Sequence, residues 1–262
     1  MAIEEASHTA IPALSTPTGT PAADATDATA VARPRPVREL LLVAALYLAY
    51  RLGRVVAEGH VSAAYRNAAD VWTLERDLHL PDEATVQQLL LHSEPLVRAA
   101  NTYYATVHFP ATVLFLLWMY WRRPAHYVWI RRVLTALTAA ALVLHLLLPL
   151  APPRMLTTVG MVDTGRLFGP AVYGNPDVDS LANQYAAMPS LHVGWALALA
   201  VGLIAATRSR WRWLWLIHPA LTLLVVVATA NHYWLDGIAA AVLLAVALLL
   251  VPRPAGPPGR PA

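Results

Sequence analysis

Asn231-His-Tyr-Trp-Leu-Asp-Gly-Ile-Ala-Ala-Ala-Val-Leu-Leu-Ala-Val-Ala-Leu-Leu-Leu250 is a polar head joined to fourteen residues without a charge. Crossing a bilayer takes about 20 apolar residues, so the stretch reads as a membrane helix with all its polarity in the first turn. Working outward, comparable apolar runs lie at 39–57, 99–121, 128–150, 189–206 and 213–230, and the quoted run itself covers 233–251. Composition agrees: 57% of the 262 residues are hydrophobic and 13% are charged. A soluble domain carries about 25% charged residues. Too little charge remains to coat a globule in water. The expected fold class is therefore an all-α integral membrane protein, a six-transmembrane-helix bundle.

Arginine sets the expected orientation. All nineteen basic residues are Arg. Twelve (Arg33, Arg35, Arg38, Arg122, Arg123, Arg131, Arg132, Arg208, Arg210, Arg212, Arg253 and Arg260) fall on one side of the six spans, against five on the other (Arg66, Arg76, Arg98, Arg154 and Arg166). The richer side is the cytoplasm by the positive-inside rule, so both termini are expected there. Six crossings give the same parity. Arg51 and Arg54 lie inside the first span and are expected to snorkel to an interface. A multi-pass protein of the plasma membrane follows, with loops 58–98 and 151–188 outside. The first carries seven acids and two helix-like runs separated by Pro81, read as interfacial helices. Residues 1–38, rich in Ala, Thr and Pro without an apolar run, read as a disordered cytoplasmic tail; 252–262 read as a second loose end. The membrane domain is 39–251. The formal charge of +3 gives no reason to expect nucleic acid, and the absence of Cys excludes disulfides and thiolate chemistry.

Three polar clusters sit at the outer ends of spans: Ala151-Pro-Pro-Arg154, Met188-Pro-Ser-Leu-His192 and Asn231-His-Tyr-Trp-Leu-Asp236. The assigned orientation brings all three to one side at similar depth. His232 and Asp236 are four apart and share a helix face. Such a pair is either an ion pair capping an interfacial helix or an imidazole whose tautomer a carboxylate holds, leaving one nitrogen free as nucleophile or base. Pro189 suits a first helical turn, and free N–H groups at Ser190 and Leu191 would then favour an anion beside His192. Arg154 offers a planar donor fork for phosphate oxygens. Tyr104 and His108, four apart on the second span, and Asn183 and Tyr185, just before Pro189, are candidates to line or cover the cleft. No carboxylate cage for a metal is visible, and no cofactor is expected.

The strings Ala187-Met-Pro-Ser-Leu-His192 and Ala228-Thr-Ala-Asn-His-Tyr-Trp-Leu-Asp236 resemble the second and third motifs of the type 2 phosphatidic acid phosphatase superfamily. Pro-Ser-Leu-His, with Tyr103-Tyr104, His108-Phe-Pro110 and Pro149-Leu-Ala-Pro-Pro-Arg154, is similar to the branch containing inositol phosphorylceramide synthases. The resemblance covers roughly 60–250. It implies a metal-independent site in which His232 attacks phosphorus, Asp236 orients it and His192 protonates the leaving oxygen. It also implies a phospholipid or polyprenyl (di)phosphate substrate at the outer leaflet. Either water or an alcohol such as an inositol or a sugar would be the acceptor. Two features depart from the family pattern: Val225 and Val226 replace a Ser-Arg pair six residues before the histidine, and the Lys-containing first motif is missing. Those losses leave Arg154 as the expected clamp. A silent scaffold or transporter, and a metal-dependent hydrolase, are the rival readings.

Overall fold

The computed structural model describes residues 33–57, 60–172 and 183–254, without the side chains of 53–57. The compact unit runs from Ala32 to Ala262. Ten α-helices form in it: α1 Pro36–Ala57, α2 Val61–Asp77, α3 Glu83–Leu91, α4 Glu94–Thr106, α5 His108–Arg122, α6 Pro124–Leu147, α7 Thr164–Phe168, α8 Leu191–Ala206, α9 Ile217–Ala228 and α10 Trp234–Leu250. Among the described residues no strand forms; one isolated bridge joins Leu150 to Ala186. Of the two loose ends expected, 1–32 and 255–262 lie outside the described residues, and the helix begins at Pro36, inside the span assigned to the tail. Arg51 is half-buried, and the Arg54 side chain lies outside the description.

Two expected spans differ in their local form. The run 99–121 is divided at Val107 between α4 and α5. Backbone bonds Val107 N to Tyr103 O (3.0 Å) and Ala111 N to Val107 O (3.0 Å) carry the chain across. Pro110 has no N–H to return to Thr106, which breaks the ladder there. The run 213–230 opens as a 3-10 turn, Arg210–Leu216, before α9. Two stretches, Pro124–Leu147 and Arg210–Ala228, are long and apolar enough to cross a membrane; α8 and α10 are shorter apolar helices.

A packed core of Phe115, Met119, Ile130, Val133, Leu137, Leu199 and Leu244 joins α5, α6, α8 and α10. Helix α8 approaches α5 and α6 closely at Gly202, where a Cβ would meet the Phe115 ring of α5 at 2.5 Å and Ile130 of α6 at 3.2 Å. Helix α1 leans on α6, where Glu39 pairs with Arg131 and accepts the Tyr127 hydroxyl at 2.7 Å. The opposite faces are apolar and bare: Leu40, Leu48 and Leu52 on α1, Val113, Leu114 and Trp118 on α5, Val242, Val246 and Leu249 on α10. A monomer in water rarely exposes contiguous apolar surface on this scale, so the belt is that of a membrane protein.

Helices α2 and α3, joined by the short turn 78–82, cover the end of the bundle where α10 begins and α9 ends. The α2 face, Ala64, Ala68 and Val71, packs with Leu150, Leu156, Met161 and Tyr233. Gln87 of α3 donates to Val162 O (3.0 Å) and Ala228 O (3.3 Å) and accepts from Val162 N (2.7 Å). Asn101 of α4 donates to Thr164 O (2.9 Å) and Gly169 O (3.0 Å). These two buried amides hold the long loop against the helix ends.

Candidate active site

The chain leaves α9 through a tight turn that presents His232. Asn231 N and His232 N both donate to Val226 O, at 2.9 and 3.1 Å. Between them and the helix, Ala230 is fully buried with φ +58°, the left-handed region that an L side chain adopts at a cost of about 1–2 kcal/mol. Helix α10 then starts with a capping box in which Asp236 Oδ2 accepts from Tyr233 N at 2.9 Å. The same oxygen lies 3.0 Å from His232 Nδ1, and Ala187 O lies 2.9 Å from that nitrogen. Both neighbours are acceptors, so Nδ1 carries the hydrogen and donates, leaving Nε2 with its lone pair.

Helix α8 starts against this turn. Ser190 is its cap, fully buried, with Oγ accepting from Val193 N at 3.4 Å. The sequence predicts the Ser190 backbone N–H to be free for an anion; in the structure that N–H donates to Asp236 O at 3.0 Å. That non-local bond joins the first turns of α8 and α10. The ring centres of His192 and His232 are 5.9 Å apart. His145, on α6, donates from Nε2 to Pro189 O at 3.1 Å and braces the same turn.

His192 stacks on Tyr104, with ring centres 4.6 Å apart and planes inclined by 26°. His108 meets it from another side at 4.5 Å and contacts Trp195 at 5.3 Å. Tyr104 and His108 are therefore in the cluster. Asn183 and Tyr185 are placed otherwise: Asn183 N donates to the Tyr50 hydroxyl and its Oδ1 accepts from Tyr185 N, while the Tyr185 ring meets Tyr65 at 6.4 Å. Tyr185 O also accepts from Leu150 N. Both residues lie in the loop that carries Ala187 and are bonded to each other within it.

Arg154 lies beside the histidine turn. Its N–H donates to Ala230 O (3.0 Å), Nη1 donates to Asn231 Oδ1 (2.6 Å), and Nε stands 3.7 Å from Asp163 Oδ2. Asn231 and Asp163 were not singled out as site residues, although Asn231 precedes His232 in sequence. Two cavities flank Tyr104. One, of about 20 Å³, is lined by Asn101, Asp163, Gly165, Pro170 and Asn231. The other, of about 10 Å³, is lined by Tyr103, His108, His192, Thr222, Val225 and Val226. Tyr104 lines both.

Behind the pair, Glu75 Oε1 accepts from Leu235 N at 2.7 Å, capping α10 from another helix. Glu83 pairs with Arg76 at 2.7 Å. Sequence reasoning missed both, though Ala64, Ala68, Val71 and Glu75 recur at helical spacing, which places Glu75 on the buried face of α2.

The PAP2 superfamily matches residues 69–250, more than half the chain and all of the elements just described from α3 to α10. The chain belongs to the PAP2 superfamily. No curated protein and no solved structure matches it. PAP2 membership supports chemistry of the phosphatase or phosphotransferase type on a phosphorylated, lipid-type substrate. In this PAP2 chain Val225 and Val226 are buried in the core and line the apolar cavity, so no guanidinium arises from that position. Arg154, entering from the loop after α6, is the cation beside the histidine turn.

Proposed function

We propose that the protein is a membrane enzyme that removes or transfers a phosphoryl group of a lipid phosphate through a phosphohistidine. The observation that carries the reading is the approach of two imidazoles, one from α8 and one from the turn before α10, to 5.9 Å, with the tautomer of His232 held by two acceptors. In the first step His232 Nε2 bonds to phosphorus as the ester P–O bond breaks, and His192 delivers its proton to the departing oxygen. In the second, His192 takes a proton from water or an alcohol, whose oxygen bonds to phosphorus as the P–N bond breaks. Asp236 stabilises the ring as it becomes cationic, and Arg154 with Asn231 contacts the phosphoryl oxygens.

The membrane arrangement belongs to the same proposal. Six crossings run through α1, the bent α4–α5 pair, α6, α8, the 3-10 turn with α9, and α10. The short α8 and α10 end at the site, which lies below α2 and α3 at headgroup depth on the extracytoplasmic side. Both termini are cytoplasmic, in the plasma membrane. The substrate is a phospholipid or polyprenyl (di)phosphate. Water is the default acceptor. Pro-Ser-Leu-His, shared with the inositol phosphorylceramide synthase branch, favours transfer to an alcohol as a second outcome.

Purified protein incubated with labelled phospholipids and prenyl diphosphates, with and without inositol, tests this. Expected is release of phosphate or a new headgroup lipid, abolished in His232→Ala. Turnover unchanged in that variant rejects the nucleophile; no turnover by the parent on any lipid favours a silent scaffold.

A further inference from the structure

Three buried carboxyl groups meet behind the histidine pair: Glu75 from α2, Glu83 from α3 and Asp236 from α10, each fully buried. Their partners are incomplete. Glu75 Oε1 has Leu235 N, Glu83 Oε2 has Arg76, and Asp236 Oδ2 has His232 and Tyr233. Glu75 Oε2, Glu83 Oε1 and Asp236 Oδ1 are sealed from solvent with no donor. An ionised carboxylate only accepts, and a buried anionic oxygen without a donor is strongly disfavoured. Arg76, which follows Glu75 in α2, pairs with Glu83 and brings the two carboxyls to neighbouring positions, each with one oxygen sealed and unpartnered. One carboxylic hydrogen between Glu75 Oε2 and Glu83 Oε1 supplies both oxygens at once. Glu83 pairs with the Arg76 guanidinium at 2.7 Å, whereas Glu75 faces a neutral backbone N–H, so the hydrogen is assigned to Glu75.

We propose that Glu75 is a positioning residue for the nucleophile, a neutral carboxylic acid that clamps the first turn of α10 to α2 and adds no charge behind Asp236. Leu235, which it holds, adjoins Asp236, and Trp234 Nε1 donates to Pro81 O of the turn after α2 at 2.8 Å. The clamp therefore fixes the carboxylate that fixes His232. The charged and titratable groups around Glu75 are Arg76 on its own helix, Glu83 on α3, and Tyr233 and Asp236 at the head of α10, with Arg154 beyond Tyr233. Among the described residues, one guanidinium pairs with Glu83 and none pairs with Glu75. Burial, then the bond to Glu83, pushes the Glu75 carboxyl up from 4.5 to about 9. Loss of its proton at alkaline pH would put a second anion against Asp236 and open the clamp. A group raised in the folded state gives its full contribution to stability below 4.5 and loses it progressively as pH rises to about 9.

The inference rests on the catalytic reading for one of its tests and stands apart from it for the other. Infrared spectra of the full chain at pH 7 are compared between parent and Glu75→Gln. A protonated-carboxyl carbonyl band present in the parent and missing in the variant is expected; its absence from the parent overturns the proposal whether or not the protein turns over lipid. The kcat and KM for a labelled lipid phosphate are then measured from pH 6 to pH 10 for the parent, Glu75→Gln and Glu75→Ala. The parent should lose kcat with a midpoint at about 9, a limb absent from Glu75→Gln, which still accepts from Leu235 N. Glu75→Ala should lose kcat about fivefold at every pH with KM unchanged, the loss of one hydrogen bond. An unchanged alkaline limb in Glu75→Gln, or a fall as deep as that of Glu75→Ala, overturns the positioning role. A parent without turnover, but with the band, refutes the catalytic reading alone.

Discussion

Replacing Asp236 with Asn isolates the charge of the carboxylate from its geometry. Asp236 Oδ2 accepts from both Tyr233 N and His232 Nδ1, at 2.9 and 3.0 Å. An asparagine with its carbonyl oxygen in that place keeps both contacts, and its amide occupies the site of Oδ1, which lacks a donor. The His232 tautomer is also held by Ala187 O at 2.9 Å. What disappears is the negative charge beside a ring that becomes cationic when it bonds to phosphorus. The difference between a charged and a neutral acceptor, with the screened Coulomb attraction at this distance, amounts to about 3 kcal/mol. In kcat this is roughly 150-fold, with KM unchanged. Steady-state turnover of a labelled lipid phosphate by purified protein in detergent micelles measures it, beside a thermal midpoint to verify folding. A loss as complete as that of His232→Ala would show that Ala187 does not hold the tautomer. A loss below about fivefold would remove the carboxylate charge from the mechanism.

Gly202→Ala places a methyl 2.5 Å from Phe115 Cζ and 3.2 Å from Ile130 Cγ1, so α8 must move from α5 and α6. The expected destabilisation is about 1–3 kcal/mol, read as a lower thermal midpoint, and an unchanged midpoint contradicts the close approach. Because the chain has no Cys, single-cysteine variants report orientation directly. Exposed Thr157→Cys should react with a membrane-impermeant maleimide on intact cells, and exposed Ser209→Cys only after permeabilisation; the reverse pattern inverts the proposed topology.

Features governed by local spacing were legible in the sequence. His232 and Asp236, four apart, meet as helix geometry requires, and the apolar run after them is α10. Proline at 110 was visible, but its division of a continuous apolar run depends on where the ladder lacks a donor. The Ser190 N–H illustrates the limit more sharply. A helix start leaves its N–H groups available in principle, but here a carbonyl forty-six positions later, at Asp236, occupies one of them. Asn183 and Tyr185 are candidates for a cleft because they precede Pro189; their bonds to Tyr50 and to each other arise from loop closure, which spacing does not encode. Glu75 was hidden differently. Among seven acids in an outer loop it resembled a solvated charge, although its register with Ala64, Ala68 and Val71 pointed inward.

The bond from Ser190 N to Asp236 O ties two helices together at their tops, where the imidazoles stand. Helices that cross a bilayer tilt and slide as its thickness changes. A thinner or thicker bilayer would therefore splay the distant ends of α8 and α10, as the legs of a compass spread from the joint, while the gap between the two rings stays nearly constant.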